Sequence, residues 1–224
     1  MPTGKYVVMR TAGLTSWRLD VSDSDLAEMA LFVRDAVGLT VPSTAGVPPA
    51  LDSPVADRRN VLSDRDRAEA SAQWQPWWQQ ILELEFGLKS SLHRPPAEGR
   101  GPDALAEIGT VGDVPDLTAL AHVPQLRAAV QVSFEDISRW RQRRMPQRGA
   151  PFEGDVVRQA VDDVAFDRQV PVNTLSGALL VLPVVGLWWQ RIAPGQVLCS
   201  QAATRSSETN YRIVYEVFAS SLGQ

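Results

Sequence analysis

The sequence predicts a single α+β domain over residues 1–224, with helices in its first three quarters packed on an antiparallel sheet drawn mainly from Val170 to Leu222. Two observations carry this. Between Ser22 and Asp167, apolar residues recur at helical spacings that leave one face to bury. From Val170 onward the apolar runs shorten and become β-branched and aromatic. They are punctuated by Ser176-Gly177, Pro183, Pro194-Gly195 and Ser206-Ser207, the pattern of a meander. A chain that is 44% hydrophobic and 21% charged has the means to fill such a core and does not read as disordered.

Taken in order, KYVVMR (Lys5–Arg10) reads as a strand, expected to join the C-terminal sheet near Tyr6–Met9. A helix starts near Ser22 or Ser24, with Asp23, Asp25 and Glu28 in its first turn. Its stripe is Leu26, Met29, Ala30, Val33 and Val37, and Gly38 stops it. Residues 39–60 hold Pro42, Pro48, Pro49 and Pro54 without a period, so they form a long loop or an ordered wrap over the surface. Ser63 and Asp66 resemble a capping box, opening a helix whose stripe is Trp74, Trp77, Ile81, Leu84 and Leu88. Pro76 inside it implies a kink or a fresh start, since an interior proline costs roughly 3 kcal/mol. Residues 95–115 form a second irregular stretch, with a short helix at Asp103–Ile108. Val123, Leu126, Val130, Phe134 and Ile137 mark the next amphipathic helix, and Val157, Ala160, Val161 and Val164 one more. The tail NYRIVYEVFASSL fits either period, and its alternation of Tyr211, Ile213, Tyr215 and Val217 favours a strand.

GLWWQRIAPGQVLCS (Gly186–Ser200) reads as a hairpin. Pro194-Gly195 suits a type II turn, since Pro presets φ at the second position and Gly supplies positive φ at the third. Direct pairing across it sets Ile192 against Val197 and Gln190 against Cys199, a register that a bulge would shift. Cys199 is the only cysteine, which leaves no internal disulfide and no cysteine zinc cage; with His93 and His122 the only histidines, imidazole-rich metal sites are also out of reach. A nucleophilic thiol needs a base or positive field, and an amide neighbour provides neither, so Cys199 reads as a small buried hydrophobe.

The paired tryptophans are the best partner-binding candidates. Trp188 and Trp189 are adjacent on a strand and point to opposite faces, so a core covering one face cannot hold both. Trp77 and Trp78 pose a milder form of the question on a helix. Large aromatic groups at interfaces are typical anchors, though core positions are their common alternative. A second candidate is SRWRQRRMPQR, which sets Arg139, Arg141, Arg143, Arg144 and Arg148 around Trp140, an anion- or base-binding composition. Its competing reading is a helix C-terminus, where cations are favoured, diluted by Glu135 and Asp136.

Acidic clusters point to helix geometry instead of metal. DVSDSDLAE lacks the glycine and distal glutamate of a calcium loop. Asp163 and Asp167 share a helix face and are the remaining carboxylate pair for acid–base work. No phosphate loop, dinucleotide glycine pattern, GxSxG elbow or HExxH occurs, so no cofactor or metal is expected.

A net charge of −4 gives no global field for nucleic acid. The N-terminus lacks a secretory pattern, and ALLVLPVVGLWW is shorter than the ~20 apolar residues of a membrane span, so a cytoplasmic location is expected. Lysine is nearly absent (Lys5 and Lys89) while arginine is abundant, a compositional hint of a GC-rich bacterial source. The composite expectation is a non-catalytic protein–protein interaction, accessory or assembly protein whose partner is another protein. The alternatives are a nucleic-acid or anion binder using residues 139–148, and an enzyme using carboxylates or Cys199.

Overall fold

The expected α+β class holds in the computed structural model, which describes residues 17–44, 46–91, 117, 120–144 and 152–223. Helices fill most of the N-terminal part, and three of the four strands of a mixed sheet lie C-terminal. The strand expected at Lys5–Arg10, the short helix at Asp103–Ile108, the whole 95–115 stretch and His93 lie outside the described residues. The chain sorts into two compact units, Met1–Ser24 with Ser43–Ser53 and Arg148–Gln224, and Asp25–Pro42 with Pro54–Gln147.

The second unit is helical. α1 (Asp25–Val37), α2 (Asp64–Ser91) and α3 (Pro124–Arg144) pack on one another pairwise. α1 follows Ser24 and ends at Gly38, whose φ of 69° gives the left-handed stop that lets Leu39 N–H reach the Arg34 carbonyl at 2.9 Å. Ser63 Oγ accepts from Asp66 N–H at 3.1 Å and donates to Asp66 Oδ2 at 2.6 Å, so the shorter acid closes the box on the hydroxyl. α2 runs unbroken past Pro76, correcting the expected restart. Pro76 lies on the exposed side, where water can take the carbonyl it leaves unbonded.

The other unit holds the sheet. β1 (Arg18–Ser22), β2 (Ser176–Leu182), β3 (Trp189–Ala193) and β4 (Gln196–Ser200) lie in the order β1-β2-β4-β3. β1 and β4 both pair with β2 in parallel, and only β3 pairs antiparallel with β4, so the meander expectation gives way to mixed pairing. The reason is visible in SGALLVL: Ala178, Leu180 and Leu182 are buried along with Leu179 and Val181, the near-continuous run of a central parallel strand. From the N-terminal side Arg18–Ser22 joins the sheet as β1, beside β2.

α4 (Gly154–Arg168) buries Val157, Ala160, Val161 and Val164 as its spacing predicts. The tail corrects the strand expectation: it forms α5 (Gln201–Arg205) and α6 (Ser207–Ser221), with Ser200 and Ser206 as N-caps. Ile213, Val214, Val217 and Phe218 then make one buried face, joining Leu19, Leu179, Val197 and Cys199 in the core. α6 packs on β2 and β4, and α4 packs on α6.

Candidate functional site

The most distinctive surface of the sheet unit is the link between β2 and β3, residues 183–188. Val185 is 46% and Leu187 62% exposed, flanking Gly186, whose φ of 79° is the conformation that favours glycine. An exposed leucine alone means little. This one is held. Ser200, fully buried at the end of β4, donates its hydroxyl to the Gly186 carbonyl at 2.7 Å and accepts the Trp188 N–H at 3.2 Å. The same oxygen caps α5 through Ala203 N–H at 3.0 Å. Leu187 therefore sits between two residues fastened to one buried side chain.

The opposite end of the link is fastened as well. Val185 N–H bonds the Ala50 carbonyl and Asp52 N–H bonds the Pro183 carbonyl, both at 2.9 Å, around a Leu51–Val184 bridge. Gly46 N–H adds a bond to Gln190 Oε1 at 2.8 Å. Part of the proline-rich 39–60 stretch is thus an ordered brace for this tip. Val185 and Leu187 do not stand out in the sequence because they sit inside the apolar run ALLVLPVVGLWW, which by its composition alone reads as buried strand. The signal was Pro183 and Gly186, which end the strand before them.

Trp188 and Trp189 are half-buried beside the tip, with Trp189 packed against the core that α6 covers. The hairpin keeps its Pro194-Gly195 turn, with Gly195 at φ 70°, but a bulge between Arg191 and Ala193 moves the register. Cys199 therefore faces Trp189, and Gln190 faces Leu198. Burial without any compensating partner pushes the Cys199 thiol up to about 12, so it carries no thiolate near neutral pH. Trp77 and Trp78 do not join this surface. They are 3% and 0% exposed in α2, and Trp78 stacks on Trp74 with ring centroids 5.5 Å apart. As core aromatics they cannot act as surface anchors.

The arginine cluster is dispersed by its own geometry. Arg139 is held by Glu135 at 2.8 Å and Asp136 at 3.0 Å, and Asp136 also accepts from Arg58 at 2.7 Å. Arg141 turns to buried Glu28 at 3.5 Å. Arg144 is buried with its guanidinium 5.0 Å from the Trp140 ring, and Trp140 is itself 2% exposed, edge-on to Phe32. Arg143 remains exposed at the wall of a cavity of about 520 Å³ lined by Phe32, Ala56, Asp136, Arg139 and Gln142. Arg148 lies outside the described residues.

The carboxylate pair is also occupied. Asp163 accepts from Tyr211 Oη and Asp167 from Tyr215 Oη, both at 2.7 Å, which fastens α4 to α6. These bonds, chiefly, raise both phenols above their ordinary value, Tyr211 to about 12. No cluster of three or more metal-ligating side chains occurs among the described residues, and none of their helices is long and apolar enough to cross a membrane. Compared with models of known protein families, with curated proteins and with solved structures, the chain matches none of them.

Proposed function

We propose that the chain is a non-catalytic protein–protein interaction protein of the cytoplasm, an accessory or assembly component, which seats its partner on Val185 and Leu187 beside Trp188 and Trp189. The observation that supports this reading is that Ser200 fastens Gly186 and Trp188, the neighbours of exposed Leu187 on either side. Apolar side chains on a rigid tip lose little conformational freedom on docking, which is where much of the cost of association arises. Removing the exposed part of one leucine from water is worth about 1–2 kcal/mol, or about 5- to 30-fold in Kd.

The test begins with partner capture by tagged protein and identification by mass spectrometry. Leu187→Asp should weaken binding of the identified partner by at least that factor, while Cys199 stays protected from alkylation as evidence of an intact fold. Ser200→Ala should weaken it less, by loosening the tip. Equal affinity in wild type and Leu187→Asp would overturn the assignment.

A second reading, anion binding, is favoured by one observation only, the exposed Arg143 at its cavity wall. It separates cleanly from the first by salt. Binding through arginine to a polyanion falls steeply as salt rises, whereas docking on an apolar tip does not.

A further inference from the structure

The backbone of β3 carries the interaction reading one step further. Among the described residues β3 is an edge strand, paired on one side only with β4. Ser200 N–H bonds the Trp188 carbonyl at 2.8 Å, and the register runs on through Trp189–Cys199, Gln190–Leu198 and Arg191–Val197. Inward hydrogen-bonding residues alternate along an antiparallel strand. Trp188 and Gln190 therefore turn their N–H and C=O groups toward β4, and Trp189 and Arg191 turn theirs away from the sheet. Among the described residues nothing bonds those outward groups. The bracing contact from Gly46 reaches the Gln190 side chain and leaves the edge itself alone.

We propose that this edge, Trp189–Arg191, takes an extended peptide segment of the partner, which adds a short strand and lays an apolar side chain against Leu187. This rests on the interaction reading above and names the chemistry of its partner. Only another backbone in extended conformation offers donors and acceptors at the spacing of alternate strand residues. The side chains suit the arrangement. Trp189 and Arg191 point to the α6 side, where Arg191 binds Glu216 at 2.6 Å, so the one charge on this stretch is turned to α6 and not across the edge. The bulge after Arg191 then ends the pairing surface. Proteins use bulges and short edges to prevent open-ended strand addition, and here they define a slot of three residues next to an apolar tip.

The probe is a displayed library of random 12-residue peptides panned on the full chain, with the enriched peptide then synthesised and its Kd read by fluorescence anisotropy. Arg191→Pro removes an outward N–H while leaving the β4 ladder its bonds; Arg191→Ala keeps that N–H and loses only the ion pair with Glu216. The expected result is at least a tenfold loss for Arg191→Pro and less than threefold for Arg191→Ala. In the wild-type protein, which avoids any folding defect of the proline variant, hydrogen exchange at the Trp189 and Arg191 amides should be fast alone and slowed by the peptide. Three results would each overturn the proposal: no enriched peptide, equal loss in the two variants, or both amides already protected in the free chain. The interaction reading would survive any of these if Leu187→Asp still abolished partner binding, so the two can fail separately.

Discussion

Gly177→Ala tests how the sheet is seated under α6. A Cβ at Gly177 would fall inside the van der Waals envelope of Val217 Cγ1 and lie 3.1 Å from the Gly195 carbonyl. Val217 is fully buried and flanked by Val214 and Phe218, so its methyl has no free volume to move into. Forcing one methyl into a packed core costs about 1–3 kcal/mol, and the lower unfolded-state entropy of alanine returns about 0.5–1 kcal/mol. We expect a net loss of about 1–2 kcal/mol. Val217→Ala alone should cost about 2 kcal/mol from two lost methyl groups and the cavity they leave. The double variant should then cost clearly less than the sum, because the methyl added at position 177 fills part of that cavity. With two compact units, a global probe would blend two transitions. Pulsed alkylation of the single buried Cys199 across a urea series reads the sheet unit alone. Additive losses, or a Gly177→Ala protein within about 0.5 kcal/mol of wild type, would refute the packing argument.

Two further outcomes follow from the same unit. Cys199 in native protein should react with iodoacetamide far more slowly than after unfolding, since burial holds its thiol near 12; comparable rates would restore the thiol as a candidate nucleophile. Tyr211 should titrate near 12 instead of 10.0, because ionising it would forfeit its hydrogen bond to Asp163 and set a phenolate against that carboxylate. A folded value above the unfolded one means the stabilisation is fully present below about pH 10 and fades as pH rises toward 12. Ultraviolet titration of wild type and Tyr211→Phe checks this: the highest-pH tyrosinate component should vanish in the variant, and its persistence would assign that component elsewhere.

The helices were legible wherever one face alone is buried. Leu126, Val130 and Ile137 appear in the core as their spacing implied, though Phe134 of the same stripe is 39% exposed. Ser133 and Asp136 are buried instead, polar residues that a count of apolar positions passes over. The tail was misread for a related reason. Tyr211 and Tyr215 lie on the side of α6 that reaches Asp163 and Asp167, so their aromatic rings gave a strand-like alternation without being core. Mixed pairing was invisible locally, because whether β2 runs parallel to β4 depends on the path taken by residues 183–195, not on any residue's propensity. The alternation rule separated Trp188 and Trp189 only in part, since Trp188 lies just before β3 and both are half-buried, whereas Trp77 and Trp78 show that helix packing can bury adjacent indoles together.

The contrast between the two candidate surfaces comes down to internal competition. Any anion approaching Arg139 must displace Glu135 and Asp136, and withdrawing Asp136 would also strand Arg58. Arg141 and Arg144 are committed inside the helical unit, the first to Glu28 and the second over Trp140. Of Arg139, Arg141, Arg143 and Arg144 only Arg139 and Arg143 are exposed, and Arg139 already carries two carboxylates; a lone exposed ion pair at Arg143 is worth at most about 1 kcal/mol. At the loop tip the balance is reversed. Ser200, Ala50 and Asp52 bond the carbonyls of Pro183, Gly186 and Trp188 and the N–H groups of Val185 and Trp188 from within, so those groups do not need water when a partner covers the tip. What the tip exposes is apolar area, and what it leaves unpaired among the described residues is the outward backbone of Trp189 and Arg191, which an extended chain can satisfy. A partner that covers both loses little to desolvation, and its affinity should respond weakly to salt.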